Sequence, residues 1–200
     1  MRNPTPTRVG IQGAEGSFSE AAALEFCRRH GIDDFKLVYL ITSAQVLTKV
    51  DSGEVEVGIM AMENAQGGVV IESMIALAEY RCDIAEMFHI HVEQCLLGKH
   101  DLPLEEITEI HSHPQALRQC REYLADQFWT RPLIDEDDTA HAAERLAKGD
   151  LPSTAAVIGS RRCGELYDLT ILEAGIQDLK NNLTLFLGVK KWKSKQNNLV

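Results

Sequence analysis

Apolar runs of strand length recur along this chain, and each is closed by a short polar turn that carries the signals of a helix start. The run at 8–12 ends in Gly13-Ala14-Glu15-Gly16, and Ser17-Phe18-Ser19-Glu20 then has the spacing of a capping box ahead of a helix at 21–29. The run at 37–41 is followed by a second such box, Thr42 to Gln45, with Gly53 placed to stop its helix. A third strand is expected at 55–62, a loop at 63–68 and a helix at 69–79. Residues 84–97 read as one long extended segment, with Phe88, Ile90, Val92 and Gln94 on one parity and His89, His91 and Glu93 on the other. Beyond it come a strand at 107–111, then Ser112 and Gln115 as a third capping pair, with Pro114 in the first helical turn. Asp138-Thr139 precedes a helix at 140–148 stopped by Gly149, a strand follows at 155–158, Gly159-Ser160 opens a short helix, and the last strand is 183–189.

Repeated strand, polar turn and helix predict an α/β protein that holds its ligand at the carboxyl ends of its strands. The extended segment near 80–98 divides two α/β halves, and the last strand is expected to return to the first. The expected organisation is a first lobe of 8–80 plus 178–191, a second lobe of 81–177, and a tail of 192–200, with a cleft between the lobes.

Charge and composition remove several function classes. Thirty acidic against 20 basic residues leave a formal charge of -10, which argues against nucleic acid as a partner, because clustered positive charge supplies that affinity. An anionic substrate would need a local positive pocket. The start of the chain has no apolar core of signal-peptide length, and no segment approaches the roughly 20 apolar residues that cross a bilayer. A cytoplasmic protein with no membrane partner is the expectation. The five cysteines, Cys27, Cys82, Cys95, Cys120 and Cys163, include no Cys-x-x-Cys pair and read as free thiols, most of them buried. Gly13-x-x-Gly16 falls short of a dinucleotide fingerprint, and the pairs His89/His91 and His111/His113 lack a third ligand, so neither nucleotide nor metal is expected.

Four turns, Gly16-Ser17, Ser112-His113, Asp138-Thr139 and Gly159-Ser160, place free backbone N–H groups and a hydroxyl at a helix start, an arrangement that cradles anions and equally serves plain capping. Glu63 and Asn64 close an apolar strand just before Gly67-Gly68, where a carboxylate can face a cleft. On a regular last strand Thr184 and Phe186 share one face and Leu185 takes the other.

Five stretches in order, 9–19, Met62-Glu63-Asn64, Ser112-His113-Pro114-Gln115-Ala116-Leu117, 155–160 and 181–186, resemble the prephenate dehydratase family over about residues 8–189. The resemblance implies a two-lobed fold like that of type II periplasmic binding proteins, assembled as dimers or tetramers, and conversion of prephenate to phenylpyruvate with loss of water and carbon dioxide by a lyase that needs no cofactor. It implies Thr184 as the principal catalytic hydroxyl with Glu63 and Asn64, and substrate contacts from Gly16, Ser17, Ser112, His113, Pro114, Gln115, Thr139, Gly159, Ser160 and Phe186. Two residues depart from the family pattern: Leu185 stands where an arginine is usual, so that restoring arginine should raise substrate affinity, and Ala65 where a serine or threonine is usual. The chain also ends shortly after Val189, where relatives append a phenylalanine-binding ACT domain, so feedback inhibition is expected to be absent. Alternatives on the same cleft are a prephenate decarboxylase that does not aromatise and a ligand-binding relative without catalysis.

Overall fold

The computed structural model describes residues 5–193, so most of the expected 192–200 tail and residues 1–4 lie outside the described residues. In chain order the first elements are β1 (Thr7–Gln12), α1 (Phe18–Arg29), β2 (Phe35–Leu40), α2 (Ser43–Ser52), β3 (Val57–Asn64), β4 (Gly68–Val69), α3 (Ile71–Glu79) and β5 (Cys82–His91). After a crossing come β6 (Cys95–Gly98), a 3-10 turn (Leu104–Glu106), β7 (Glu109–Ser112), α4 (Pro114–Gln119), α5 (Arg121–Gln127), β8 (Leu133–Asp135), α6 (Thr139–Lys148), β9 (Ala155–Gly159), α7 (Arg161–Leu166) and β10 (Thr170–Ala174). The last strand, β11 (Leu183–Lys191), returns to the first sheet.

The α/β expectation holds, and the chain folds as two lobes, each a mixed sheet covered on both faces. The first sheet runs β2-β1-β3-β11-β5, with β4 attached to β3; the second runs β10-β6-β9-β7-β8. Parallel β1–β2 and β1–β3 pairs come from strand-helix-strand crossovers, whereas β11 lies antiparallel between β3 and β5. Val9, Ile11, Phe26, Phe88 and Phe186 fill one face of the first sheet, and Leu47, Val50, Met60, Leu187 and Val189 fill the other. The second sheet is packed likewise, by Leu97, Leu146 and Val157 on one side and Leu96, Ile110 and Ile158 on the other.

Besides shifts of a few residues at element ends and the unexpected strands β8 and β10, three differences from the sequence reading bear on the lobes and the site. The segment expected to be one long strand breaks at 92–94, and its first part, β5, pairs along its length with β11, so residues 82–91 belong to the first lobe and not the second. Strand β3 continues through Glu63 and Asn64, because both pair with β11 and with β4 where a loop was expected. The helix after Pro114 is interrupted at Cys120.

The lobes are joined by 92–94 and 175–182, and these two crossings bond to each other: Val92 N donates to Asn182 O at 2.8 Å, and Ile176 N to Gln94 O at 3.0 Å. On the opposite side Ser160 Oγ donates to Gly16 O at 2.6 Å, tying the start of α7 to the turn before α1. Gly16 holds φ 86°, which glycine adopts freely, and a Cβ there would meet Cys163 Sγ at 3.1 Å.

Gly188 on β11 illustrates how tightly the first lobe is packed. A Cβ built on it would lie 2.2 Å from Cε2 of Phe26, a fully buried ring held between His30 and Phe88. Gly188→Ala is expected to cost about 1–3 kcal/mol by overpacking, read as a lowered urea midpoint. An unchanged midpoint would mean that the ring has room to move.

Candidate active site

The cleft between the lobes is a cavity of about 540 Å³, a size suited to a small molecule. Its walls come from strand ends and helix starts, as the strand-turn-helix pattern requires: Gln12, Gly13 and Ser17 from the β1–α1 turn, Thr42 from the start of α2, Thr184 and Phe186 from β11, His113 and Gln115 from the start of α4, and Thr139 from the start of α6. Six of the residues expected to form the site therefore meet here: Ser17, His113, Gln115, Thr139, Thr184 and Phe186.

Thr184 is only 8 % exposed, and its Oγ1 accepts from Asn64 Nδ2 at 2.9 Å. Asn64 is buried behind it. Its Oδ1 accepts from the backbone N–H groups of Gln66 and Gly67 at 3.0 and 2.7 Å, and its Nδ2 also donates to Asn182 Oδ1 at 2.7 Å. Because a lone pair of the Thr184 oxygen is already taken by an N–H, its own proton is left to donate into the cleft. Phe186 completes the wall, packed on Phe88 with ring centroids 6.2 Å apart.

The other expected residues are placed elsewhere. Glu63 pairs with Leu185 on β3–β11, is exposed and does not line the cleft; strand alternation puts it on the sheet face opposite Thr184 and Phe186. Ser112 is fully buried and donates to Ile158 O at 2.7 Å, and the cap of α4 is His113, whose Nδ1 accepts from Gln115 N at 3.2 Å. Ser112 is thus a tie between β7 and β9 and not the expected cap. Pro114 occupies the first turn of α4 and does not line the cleft. Gly16 and Ser160 belong to the contact between lobes, and Gly159 is buried at the end of β9 against Cys163.

Leu185 packs partly against the Leu47 and Val50 side of the sheet, so an arginine at its register would point away from the cleft. The expected affinity gain from restoring arginine therefore has no geometric basis here. The described lining residues include no lysine or arginine, while Glu72, Asp137 and Asp138 contribute three carboxylates. Arg161 lies on a neighbouring groove beside Glu93. Residues missed by the sequence reading are Gln94 and Gln119, which line the cleft, and Asn182, buried behind them; hydrogen bonds between side-chain amides link the three to Asn64, and their signal was at most the Asn181-Asn182 pair, since a buried amide leaves no periodic trace.

His111 is gripped between Glu109 and Glu136 at 2.9 and 2.8 Å, and Glu136 also takes Arg145, so this histidine serves the second lobe's framework. Among the described residues no histidine, cysteine and carboxylate group of three or more has a metal-holding arrangement. Burial pushes the Cys163 thiol up to about 11, so it stays protonated near neutrality.

Burial lowers the pKa of His113 below the ordinary 6.5, with nearby Asp138 pulling the other way. The neutral ring is the form whose Nδ1 caps α4. In the window between the lowered folded value and 6.5 the unfolded chain binds the proton more strongly, so stability falls as pH drops through that window and levels once both states are protonated. Urea midpoints measured from pH 7.5 down to about 5 are expected to decline less steeply in His113→Gln than in the parent. Equal slopes would remove His113 as a contributor.

Residues 9–194 match the family described as Prephenate dehydratase. The chain is 34% identical over 183 residues to "Arogenate dehydratase/prephenate dehydratase 6, chloroplastic" of Arabidopsis thaliana, covering 90% of this chain and 42% of that protein. It is 27% identical over 185 residues to "Bifunctional chorismate mutase/prephenate dehydratase" of Escherichia coli (strain K12), covering 92% and 47%. Among solved structures, the prephenate dehydratase from Arthrobacter aurescens in complex with L-Phe superposes with a TM-score of 0.83 at 23% identity, covering 94% of this chain and 61% of that one. GqqA, described as a novel type of quorum quenching acylases, superposes with a TM-score of 0.75 at 28% identity, covering 94% and 65%. The chain spans less than half the length of these two curated relatives.

Proposed function

Because this chain belongs to the prephenate dehydratase family, we propose that its cleft catalyses decarboxylative dehydration of a 4-hydroxycyclohexadienyl dicarboxylate, with prephenate as the reference substrate and phenylpyruvate as product. The observation that carries this reading is the hydrogen bond from Asn64 Nδ2 to Thr184 Oγ1, which aims the threonine proton at the cleft. Aromatisation supplies the driving force, so the protein need only hold the ring and assist the leaving oxygen. The bond from C1 to its carboxyl breaks to release carbon dioxide, its electron pair enters the ring, and the C4–O bond breaks. The departing oxygen takes up a proton and leaves as water. Thr184 is a weak acid, so its part is a positioned hydrogen bond to the C4 oxygen that strengthens as negative charge develops there.

Phe186 provides a flat apolar wall against the diene ring, with Ala61 and Val70 nearby. Gln115 and Thr139 reach the cleft from the second lobe, where closure sets them against the substrate's carboxylates. Ser17 sits at the start of α1, whose positive dipole end favours negative charge, whereas the start of α6 beside Thr139 is already capped by the Asp138 carboxylate. We place the enzyme in aromatic amino-acid biosynthesis as a lyase, in the cytoplasm and as a homodimer or tetramer; no described helix is long and apolar enough to cross a membrane.

Incubation with prephenate tests the reading. Phenylpyruvate develops strong ultraviolet absorbance in alkali, a dienyl decarboxylation product does not, and untouched prephenate identifies a binder without catalysis. A dienyl decarboxylation product, or no turnover of either prephenate or its amino-acid counterpart, overturns the assignment.

A further inference from the structure

The turn that orients Asn64 has little packing of its own, because Ala65 and Gly68 are exposed. What anchors it is the half-buried Gln66, whose side-chain amide reaches the crossing between the lobes 112 positions away. Its Nε2 donates to Asp178 Oδ2 at 3.0 Å, and its Oε1 accepts from Leu179 N at 3.1 Å. A backbone N–H can only donate and a carboxylate only accepts, so the two partners fix the amide in one orientation. Asp178 is itself held to the second lobe. Its N donates to Gln119 O at 2.8 Å, and its carboxylate accepts from Glu122 N at 3.1 Å and Tyr123 N at 3.4 Å at the start of α5, where Cys120 supplies no side-chain cap.

The main chain of the same residue acts on the site. Gln66 N and Gly67 N are the two donors that set the plane of the Asn64 amide, and that plane decides where Nδ2 meets Thr184 Oγ1. Gly67 also lies against the second lobe, since a Cβ built on it would fall 2.6 Å from Nε2 of Gln115, which lines the cleft. Gln66 thus joins the two parts that the reaction needs held together: the amide behind the hydroxyl and the lobe that faces it. An Asn64 amide that tips loses its aim at Thr184 while the cleft walls stay in place, so the loss falls on turnover and spares binding.

We propose that Gln66 and Asp178 form an interlobe latch, acting as positioning residues that hold Asn64, and through it the Thr184 hydroxyl, aimed at the departing oxygen. The part played in turnover rests on the dehydratase reading, whereas the latch itself rests on the bonds that Gln66 and Asp178 make.

Exchanging the two functional groups tests it. Gln66→Glu sets a carboxylate against that of Asp178, and Asp178→Asn sets an N–H against Gln66 Nε2, so each change alone breaks the pair. Together they restore it with donor and acceptor exchanged, because the new glutamate accepts from both the new asparagine and Leu179 N at the same net charge. Each single variant is expected to lower kcat about tenfold with KM within about threefold, measured on prephenate or on its amino-acid counterpart where that is the compound turned over. Hydrogen exchange at the Gln66 and Gly67 amides should speed up about tenfold in the same variants. The double variant is expected to recover both readouts to within about threefold of the parent. Parental kcat in the single variants, a loss that the double variant does not recover, or a loss confined to KM overturns the proposal. If the parent turns over neither compound, the dehydratase reading falls, and the latch stands or falls on the exchange rates alone.

Discussion

Thr184→Ala is expected to reduce kcat on the preferred diene by roughly 100- to 1,000-fold, with KM changed by no more than about threefold. The argument is geometric. On β11 the side chain at 184 faces the cleft beside Phe186, and the Asn64 amide occupies one lone pair of its oxygen, so a single proton remains to meet the leaving C4 oxygen. That bond strengthens only as the C4–O bond breaks, which places the loss in kcat and spares binding. Thr184→Ser keeps the hydroxyl at the same register and is expected to retain activity within about tenfold, the shortfall coming from the freer rotation of serine. An alanine variant with near-parental kcat would show that the charge developing on the departing oxygen is stabilised by something else, and the mechanism drawn around Thr184 would fail.

Asn64→Ala is expected to be the most damaging change to the site's framework, because one side chain serves two backbone donors, a neighbouring amide and the Thr184 hydroxyl. Asn64 is 2 % exposed, so water cannot replace those partners without entering the core. A stability loss of about 3 kcal/mol, read as the urea midpoint, and a kcat loss of roughly 100-fold should accompany each other. Asn64→Asp separates the two effects. Aspartate keeps the acceptor for Gln66 and Gly67 N–H and so the turn, but it has no N–H to give Thr184 or Asn182. Full activity in the aspartate variant would show that the amide serves the fold and not the hydroxyl.

The loss of the family's usual arginine at 185 reads differently once the register of β11 is known. Leu185 faces the Leu47 and Val50 core, and what distinguishes the cleft is the acidic lining drawn from α3 and the β8–α6 turn. Neither feature is visible from the position of the substitution alone. Local rules had reached Thr184 and Phe186 as a shared wall, and Ser17, Thr42 and Ser160 as helix caps, because strand alternation and capping depend on residues a few positions apart. The same rules misplaced Ser112, which the β7–β9 pairing turned inward to Ile158 O, and Glu63, which the register of β3 against β11 turned outward.

What this sequence determined alone is the alternation of strand, turn and helix, and with it the α/β class and the rim of strand ends that lines the cleft. The apolar period and the caps encode those locally. The tertiary structure decided that β11 inserts between β3 and β5, and that Asn64 meets Asn182 from 118 positions away. It also decided that the resulting line of amides stops at Gln94 with one oxygen unpaired. Those outcomes depend on which distant segments pack together, and a buried polar partner is chosen by that packing, with no periodicity in the chain to announce it.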